Sequence, residues 1–348
     1  MKPLKTGYAY HGNRMLNHAE DDLRDMALHY GNVVVHMLSH TDWERHRKIM
    51  KDMVDITHSL GMEAWMDNWG LAGAPGDKSH FLSYYPDAHV YYSDGSMAPS
   101  LVCLNSPEFR SFSKEWIDVV EYTGAEKIFW DEPQLPDKEA NGRKLYTCAC
   151  TRCKKLFKDK YGYTMPEEAN DDVYEFRLNT IADYFKDVTA YSRSKGIANS
   201  VCVMLGSSGV SLETAEPICS IDTIDDIGSD PYWLYVGKEP YEYVYKGTKL
   251  NINLTEKYNK DHNLWIQTHA NPAGREEEII TATEACYDAG ARTILAWGYY
   301  GSISNNYRSE NPLITKHKTE EAFRRIWDME RDRIHKENLL AINQNKIL

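Results

Sequence analysis

The sequence predicts an α/β chain folded as a (β/α)8, or TIM, barrel. Eight short apolar runs alternate with amphipathic helical patterns, and each run is too apolar for a sheet with one wet face. No glycine-rich phosphate loop follows the first run, where a nucleotide-binding open sheet would place one, so the doubly wound sheet is the lesser alternative. The 348 residues, 42% of them hydrophobic, suffice for one large core. No linker or low-complexity tract divides them, so a single catalytic domain over 1–348 is expected.

The first run, 6–11 (TGYAYH), precedes a helical pattern at 19–30 that stops at Gly31. The second, 33–38 (VVVHML), leads to a helix at 42–60 stopped by Gly61. After the third, 63–67 (EAWMD), and a long loop, 107–122 carries Phe109, Phe112, Trp116 and Val120 on one helical stripe. The fourth, 127–130 (KIFW), is followed by a Cys-rich insertion at 140–165, then a helix at 172–195 with Phe176, Ile181, Tyr184, Phe185 and Val188 at helical spacing, ended by Gly196. The remaining strands are expected at 200–205, 220–227, 264–268 and 293–297, with helices at 241–259, 274–289 and 319–338.

Lys+Arg 40 against Asp+Glu 52 gives a net charge of -12, the wrong sign for gaining affinity from nucleic-acid phosphates or anionic lipid. No run approaches the roughly 20 apolar residues that span a bilayer, and the opening MKPLKTGYAYHGN lacks a secretory signal's apolar stretch. The expectation is a cytoplasmic protein with neither nucleic-acid nor membrane partners, compatible with a homo-oligomer. Tyr 24 and Trp 9 against Phe 8 means that most aromatic rings carry a polar handle, which suits a polyhydroxylated ligand such as a carbohydrate.

Barrel chemistry sits at the C-terminal ends of the strands. Strand one ends at His11, strand two at His36 to His40, and strand three at Asp67 and Trp69. Strand six leads into Asp225, Asp226 and then Asp230, Tyr232 and Trp233. Strand seven leads into Gln267, His269 and Asn271, and strand eight into Trp297, Tyr299 and Tyr300. The sharpest segment is IFWDEPQ, where Asp131 and Glu132 follow a buried run and Pro133 stops further pairing. A carboxyl held beside a tryptophan has a raised pKa, which makes Glu132 the first candidate for a general acid. Its partner is sought among Asp230, Asp131 and Asp226, in that order, because neighbouring strand residues point to opposite sides and only a bulge would aim both Asp131 and Glu132 inward. Candidate sugar contacts are His11, Asp67, Trp69, Tyr232 and Trp233, together with Gln267, His269, Asn271, Trp297, Tyr299 and Tyr300.

Four of the seven cysteines form a pattern: Cys103, then Cys148, Cys150 and Cys153 in YTCACTRCKKLF. Such a set supplies four thiolates for a closed, structural, tetrahedral zinc, while Cys202, Cys219 and Cys286 read as small buried hydrophobes. No organic cofactor is expected.

The CLNSPEFR segment, the acid ending strand four and the Cys-x-Cys-x-x-Cys-x-x-x-Phe cluster together resemble the zinc-bearing family 42 glycoside hydrolases of the β-galactosidase type. The resemblance spans about 101–157 and implies a glycoside hydrolase working with a pair of carboxylates, Glu132 being the acid/base. It departs at strand seven, where that family keeps a nucleophilic Glu and this chain has LWIQTHANP. In placement alone, Asp131 and Asp230 are similar to the nucleophile and acid/base of the α-galactosidase-like barrels. The alternatives are a metal-dependent sugar isomerase or hydrolase using His11, His36 and His40 with Asp67, Glu132, Asp226 and His269, or a non-catalytic carbohydrate-binding barrel.

Overall fold

The computed structural model describes residues 2–71, 78–132, 135–205, 211–212 and 214–345, with side chains described to 338; Pro133 lies outside these. Eight parallel strands close into a barrel: β1 (Lys5–Tyr10), β2 (Val33–Met37), β3 (Glu63–Asp67), β4 (Lys127–Trp130), β5 (Ala198–Val203), β6 (Asp226–Ser229), β7 (Asp261–Gln267) and β8 (Thr293–Trp297). Each pairs with its sequence neighbours, and β8 closes on β1 through Lys5↔Thr293 to Tyr8↔Ala296. With helices between the strands, this is the (β/α)8 architecture.

The pleat divides the apolar residues into two shells. Val35, Trp65, Phe129, Cys202, Trp265 and Leu295 point into the barrel, while Val34, Ile128, Trp130, Val201 and Ile266 point out to the helices. Gly7 is needed on the inner face, because a Cβ there would lie 2.1 Å from the Val33 carbonyl oxygen. At the N-terminal end, Lys127 pairs with Asp226 and its ammonium sits 4.2 Å above the Trp65 ring. Asn263 donates to Asp226 at 2.6 Å and to Ser200 at 2.9 Å, so polar contacts plug that end.

Strand six departs from expectation: 220–227 read as the strand, and Asp226–Ser229 is. Ile221 and Ile224 are buried, but in consecutive turns beneath the helical layer, and the strand's own sequence, DIGS, is too short and polar to announce itself. Asp225 is moved with it, accepting from the Asn199 backbone N–H and from Arg193 near the strand's start. The Cys-rich insertion contains an unforeseen helix, Thr151–Tyr161, capped by the Cys150 sulfur accepting from Cys153 N–H, and a hairpin of 138–140 with 143–145 turning at Asn141 and Gly142. Both turn residues have positive φ, the requirement of a type I′ turn.

Candidate active site

A cavity of about 310 Å³ opens at the C-terminal end of the barrel. Its floor is the inner-shell trio Phe129, Trp265 and Cys202, and Trp69 and Trp297 stand above them. Asp131, Glu132 and Asp230 all reach it. Asp131 continues the inward parity of Phe129. Glu132 would then point outward with Trp130, but its φ of 27° breaks the extended run and turns it into the same cavity. A non-glycine residue in that region is strained, a condition concentrated at functional sites.

The Glu132 and Asp230 side chains lie within hydrogen-bonding reach of each other in this cavity. Burial, the Glu132 charge and this hydrogen bond together push the Asp230 carboxyl well above the usual carboxylate range, and its Oδ1 has no partner. Asp131 is raised by burial and then by Asp67, Glu132 and Asp230. Asp67, fully buried beneath them, is raised chiefly by burial, against the Trp69 backbone N–H, whose lowering influence exceeds the further raising by the Glu132 charge; neither of its oxygens has a partner of ordinary hydrogen-bond geometry.

Two histidines organise the rings. His11 lies edge-on to Trp69 and Trp297, with ring centroids 5.3 and 5.2 Å away, and its buried Nε2 is unpartnered. His269 contacts the rings of Tyr232, Tyr235 and Tyr307, and its nitrogens meet the Trp297 carbonyl and the Tyr235 hydroxyl, each at 2.8 Å. Burial is the leading cause that lowers the pKa of His11 to about 3 and of His269 to about 4, so both rings are neutral at neutral pH.

Several expected contacts lie elsewhere. Trp233 is fully buried, its indole N–H donating to Glu278 at 2.6 Å, while its neighbour Tyr232 takes the cavity side. Tyr299 points outward, donating to Asp25 at 2.7 Å, and Tyr300 packs beside it. Gln267 and Asn271 are fully buried: Gln267 Oε1 accepts from the Leu234 backbone N–H at 3.3 Å, and Asn271 donates to the Gln267 carbonyl and accepts from the Ser309 hydroxyl. His36 faces the helical shell against Thr57, and Asp226 sits at the opposite end of the barrel. Strand-end position alone does not say which way a side chain points. Tyr235, Val236, Tyr243 and Tyr307, which the sequence reading did not single out, line the mouth. Only the aromatic run YWLY around 232–235 hinted at any of them.

Outside the mouth, Cys103, Cys148, Cys150 and Cys153 are brought together, all buried, with their sulfurs within 4.8 Å of one another. Cys103 Sγ is 3.5 Å from Cys153 Sγ and 3.7 Å from Cys150 Sγ. Metal–sulfur bonds of about 2.3 Å put the edges of a tetrahedron near ~3.8 Å, so the four thiols fit a metal ion. All seven cysteines are free thiols.

No family model and no curated protein matches the chain. Solved structures do. An endo-1,4-β-mannanase from Rhizomucor miehei aligns over 92% of this chain and 95% of its own at 11% identity and TM-score 0.59. A putative α-L-fucosidase from Bacteroides thetaiotaomicron aligns over 94% of each at 10% identity and TM-score 0.53. A D-psicose 3-epimerase from Clostridium cellulolyticum aligns over 94% and 98% at 10% identity and TM-score 0.51. At these identities the likeness establishes the barrel fold and nothing finer. Among the described residues no helix is long and apolar enough to cross a membrane.

Proposed function

We propose that the protein is a glycoside hydrolase whose carboxyl groups at the ends of β4 and after β6 cleave a glycosidic bond. The observation that carries this reading is the convergence of Asp131, Glu132 and Asp230 in one aromatic-walled cavity at the barrel mouth. Glu132, as the acid/base, gives a proton to the glycosidic oxygen as the bond from that oxygen to the anomeric carbon breaks, and the carbon is taken by the opposing carboxylate or by a water that this carboxylate activates. A hydrogen-bonded carboxyl pair is closer, at roughly 3 Å, than the ~5 Å of a retaining pair, so the sugar parts the two as it enters. Asp230 is the first candidate for the opposing carboxylate and Asp131 the second. His269 binds hydroxyls, with His11 and Asp67 behind the cavity wall, and Trp69, Trp297 and Tyr232 pack against the ring.

The four cysteines would hold zinc, which would tie the loop after β4 to Cys103 and take no part in the reaction. With the strand-four acid, that cluster is all that supports a link to the family 42 type. The competing reading is a metal-dependent sugar isomerase. Among the described residues, the groups of three or more potential ligands within 4.8 Å of one another are the cysteines, His40–Glu44–His80 and Asp25–His29–Glu320, none of them in the cavity.

A panel of p-nitrophenyl α- and β-glycosides of common hexoses and fucose tests the proposal. Turnover of at least one, dependent on Glu132, is expected. No turnover on any of them, combined with isomerisation of a free sugar on adding Mn²⁺ or Co²⁺, would overturn it.

A further inference from the structure

Cleaving a glycosidic bond takes two carboxyl groups. This cavity is lined by three, Asp131, Glu132 and Asp230, and the fully buried Asp67 is close enough to raise the Asp131 carboxyl. No positive charge stands against them. Neither Lys nor Arg is among the described residues that line the cavity, and the residues at 72–77, 133–134, 206–210 and 213, which lie outside the description, include neither type. Arg14, near enough to His11 to lower its pKa, is spent on Asp42 at 2.6 Å and on the Met37 carbonyl at 3.0 Å. His269 lines the cavity, but burial lowers its pKa to about 4 and leaves it neutral.

The carboxyls are therefore short of both charge and donors. Asp230 reaches the cavity, is 9% exposed, and has an Oδ1 without a hydrogen-bond partner, the condition of an acceptor that a ligand completes. Asp131 is 8% exposed, and the charges acting on it are those of Asp67, Glu132 and Asp230. Buried carboxylates are stable when paired with a cation. A sugar hydroxyl brings a donor and no charge, whereas an ammonium group brings three donors and the missing charge. Trp69, Trp297 and Tyr232 in the lining have rings of the kind whose faces attract a cation. With Glu132 and Asp230 assigned to the reaction, Asp131 is the carboxyl left for this task.

We propose that the substrate is a glycoside of an amino sugar, its free ammonium group bound by Asp131 in the same cavity as the reacting pair. This rests on the glycosidase reading and specifies its substrate class.

An ammonium near the anomeric carbon slows the chemistry of any glycoside, so affinity is the cleaner measure. The probes are the methyl glycosides of glucose, galactose and mannose with their 2-amino-2-deoxy and 6-amino-6-deoxy counterparts, titrated by tryptophan fluorescence at pH 6, where the amines are protonated. At least one amino sugar should bind about tenfold or more tightly than its neutral parent, and N-acetylation, which removes the charge, should abolish the gain. Asp131→Asn should shrink the amino-to-neutral ratio several-fold. A ratio unchanged in a variant that melts like the parent protein would overturn the assignment to Asp131. Should that variant not fold, the affinities of the parent protein decide: equal affinities for every amino and neutral pair, or a gain that survives N-acetylation, would overturn the inference. Either result beside turnover of a neutral chromogenic glycoside leaves the glycosidase reading intact. Adding p-nitrophenyl glucosaminide and galactosaminide to the chromogenic panel tests that reading separately; with no turnover on any of them it fails, and the titration still decides the ammonium site.

Discussion

Replacing Glu132 by Gln keeps the side chain's size and removes its proton and charge. General acid–base catalysis contributes about 10²–10⁴-fold, or roughly 2.7–5.4 kcal/mol of barrier lowering at 1.36 kcal/mol per decade, and turnover of an alkyl glycoside should fall by that range. A dinitrophenyl glycoside, whose leaving group needs no proton, should fall by tenfold or less. The structure adds a second signature. Asp230 is held up by burial, by the Glu132 charge and by the hydrogen bond between them. In Glu132→Gln the new amide would carry no charge and would donate to the Asp230 carboxylate, so two of the three causes vanish and the Asp230 pKa drops. As the opposing carboxylate Asp230 acts ionised, so a rate that needs it is present above its pKa and lost below it, and the acidic limb of kcat/KM should move to lower pH in the variant. The assay is the pH profile of kcat/KM on both substrates, with a thermal melt to confirm folding. Equal losses on the two glycosides together with an unmoved limb would refute the assignment of Glu132 as proton donor coupled to Asp230 and leave Glu132 as a group that positions the sugar.

Three further outcomes follow from the geometry. Zinc content should be close to one per chain by mass spectrometry, and Cys150→Ser should lower both zinc content and melting temperature; a metal-free protein with an unchanged melt would dismiss the site. Asp226→Asn strips the partner from Lys127, which is only 16% exposed, and should cost about 3–5 kcal/mol in denaturant unfolding while kcat per folded molecule stays within twofold; a selective loss of kcat would return Asp226 to the active site. Asp67 has a folded-state pKa raised above its unfolded value near ~3.9, so its carboxyl favours folding below that pH and loses the advantage as pH rises through the raised value. Asp67→Asn should therefore melt progressively higher than the parent protein as pH goes from 4 to 8, and a constant difference across that range would contradict the burial argument.

Local pattern was enough for the barrel. Runs such as VVVHML and KIFW are apolar on both faces, because in a parallel barrel one face meets the packed interior and the other meets helices, and glycines such as Gly61 and Gly196 end the helices at positive φ. The four-cysteine cluster was equally legible, since ligand spacing is written in the chain. Strand six was not. Four residues, DIGS, carry no hydrophobic period, and the apolar Ile221 and Ile224 upstream imitate one. The site divided in the same way. Sequence located the strand ends that carry acids and rings, but orientation belongs to tertiary structure: Trp233 and Tyr299 turned away, while Tyr232 and Trp297 turned in. The pairing of Glu132 with Asp230 depended on a backbone torsion at Glu132 and on two strands not adjacent in the sheet, β4 and β6, lying across one barrel mouth. Residue identity determined which groups can hold a proton or a metal. Closure of the barrel decided which of them meet.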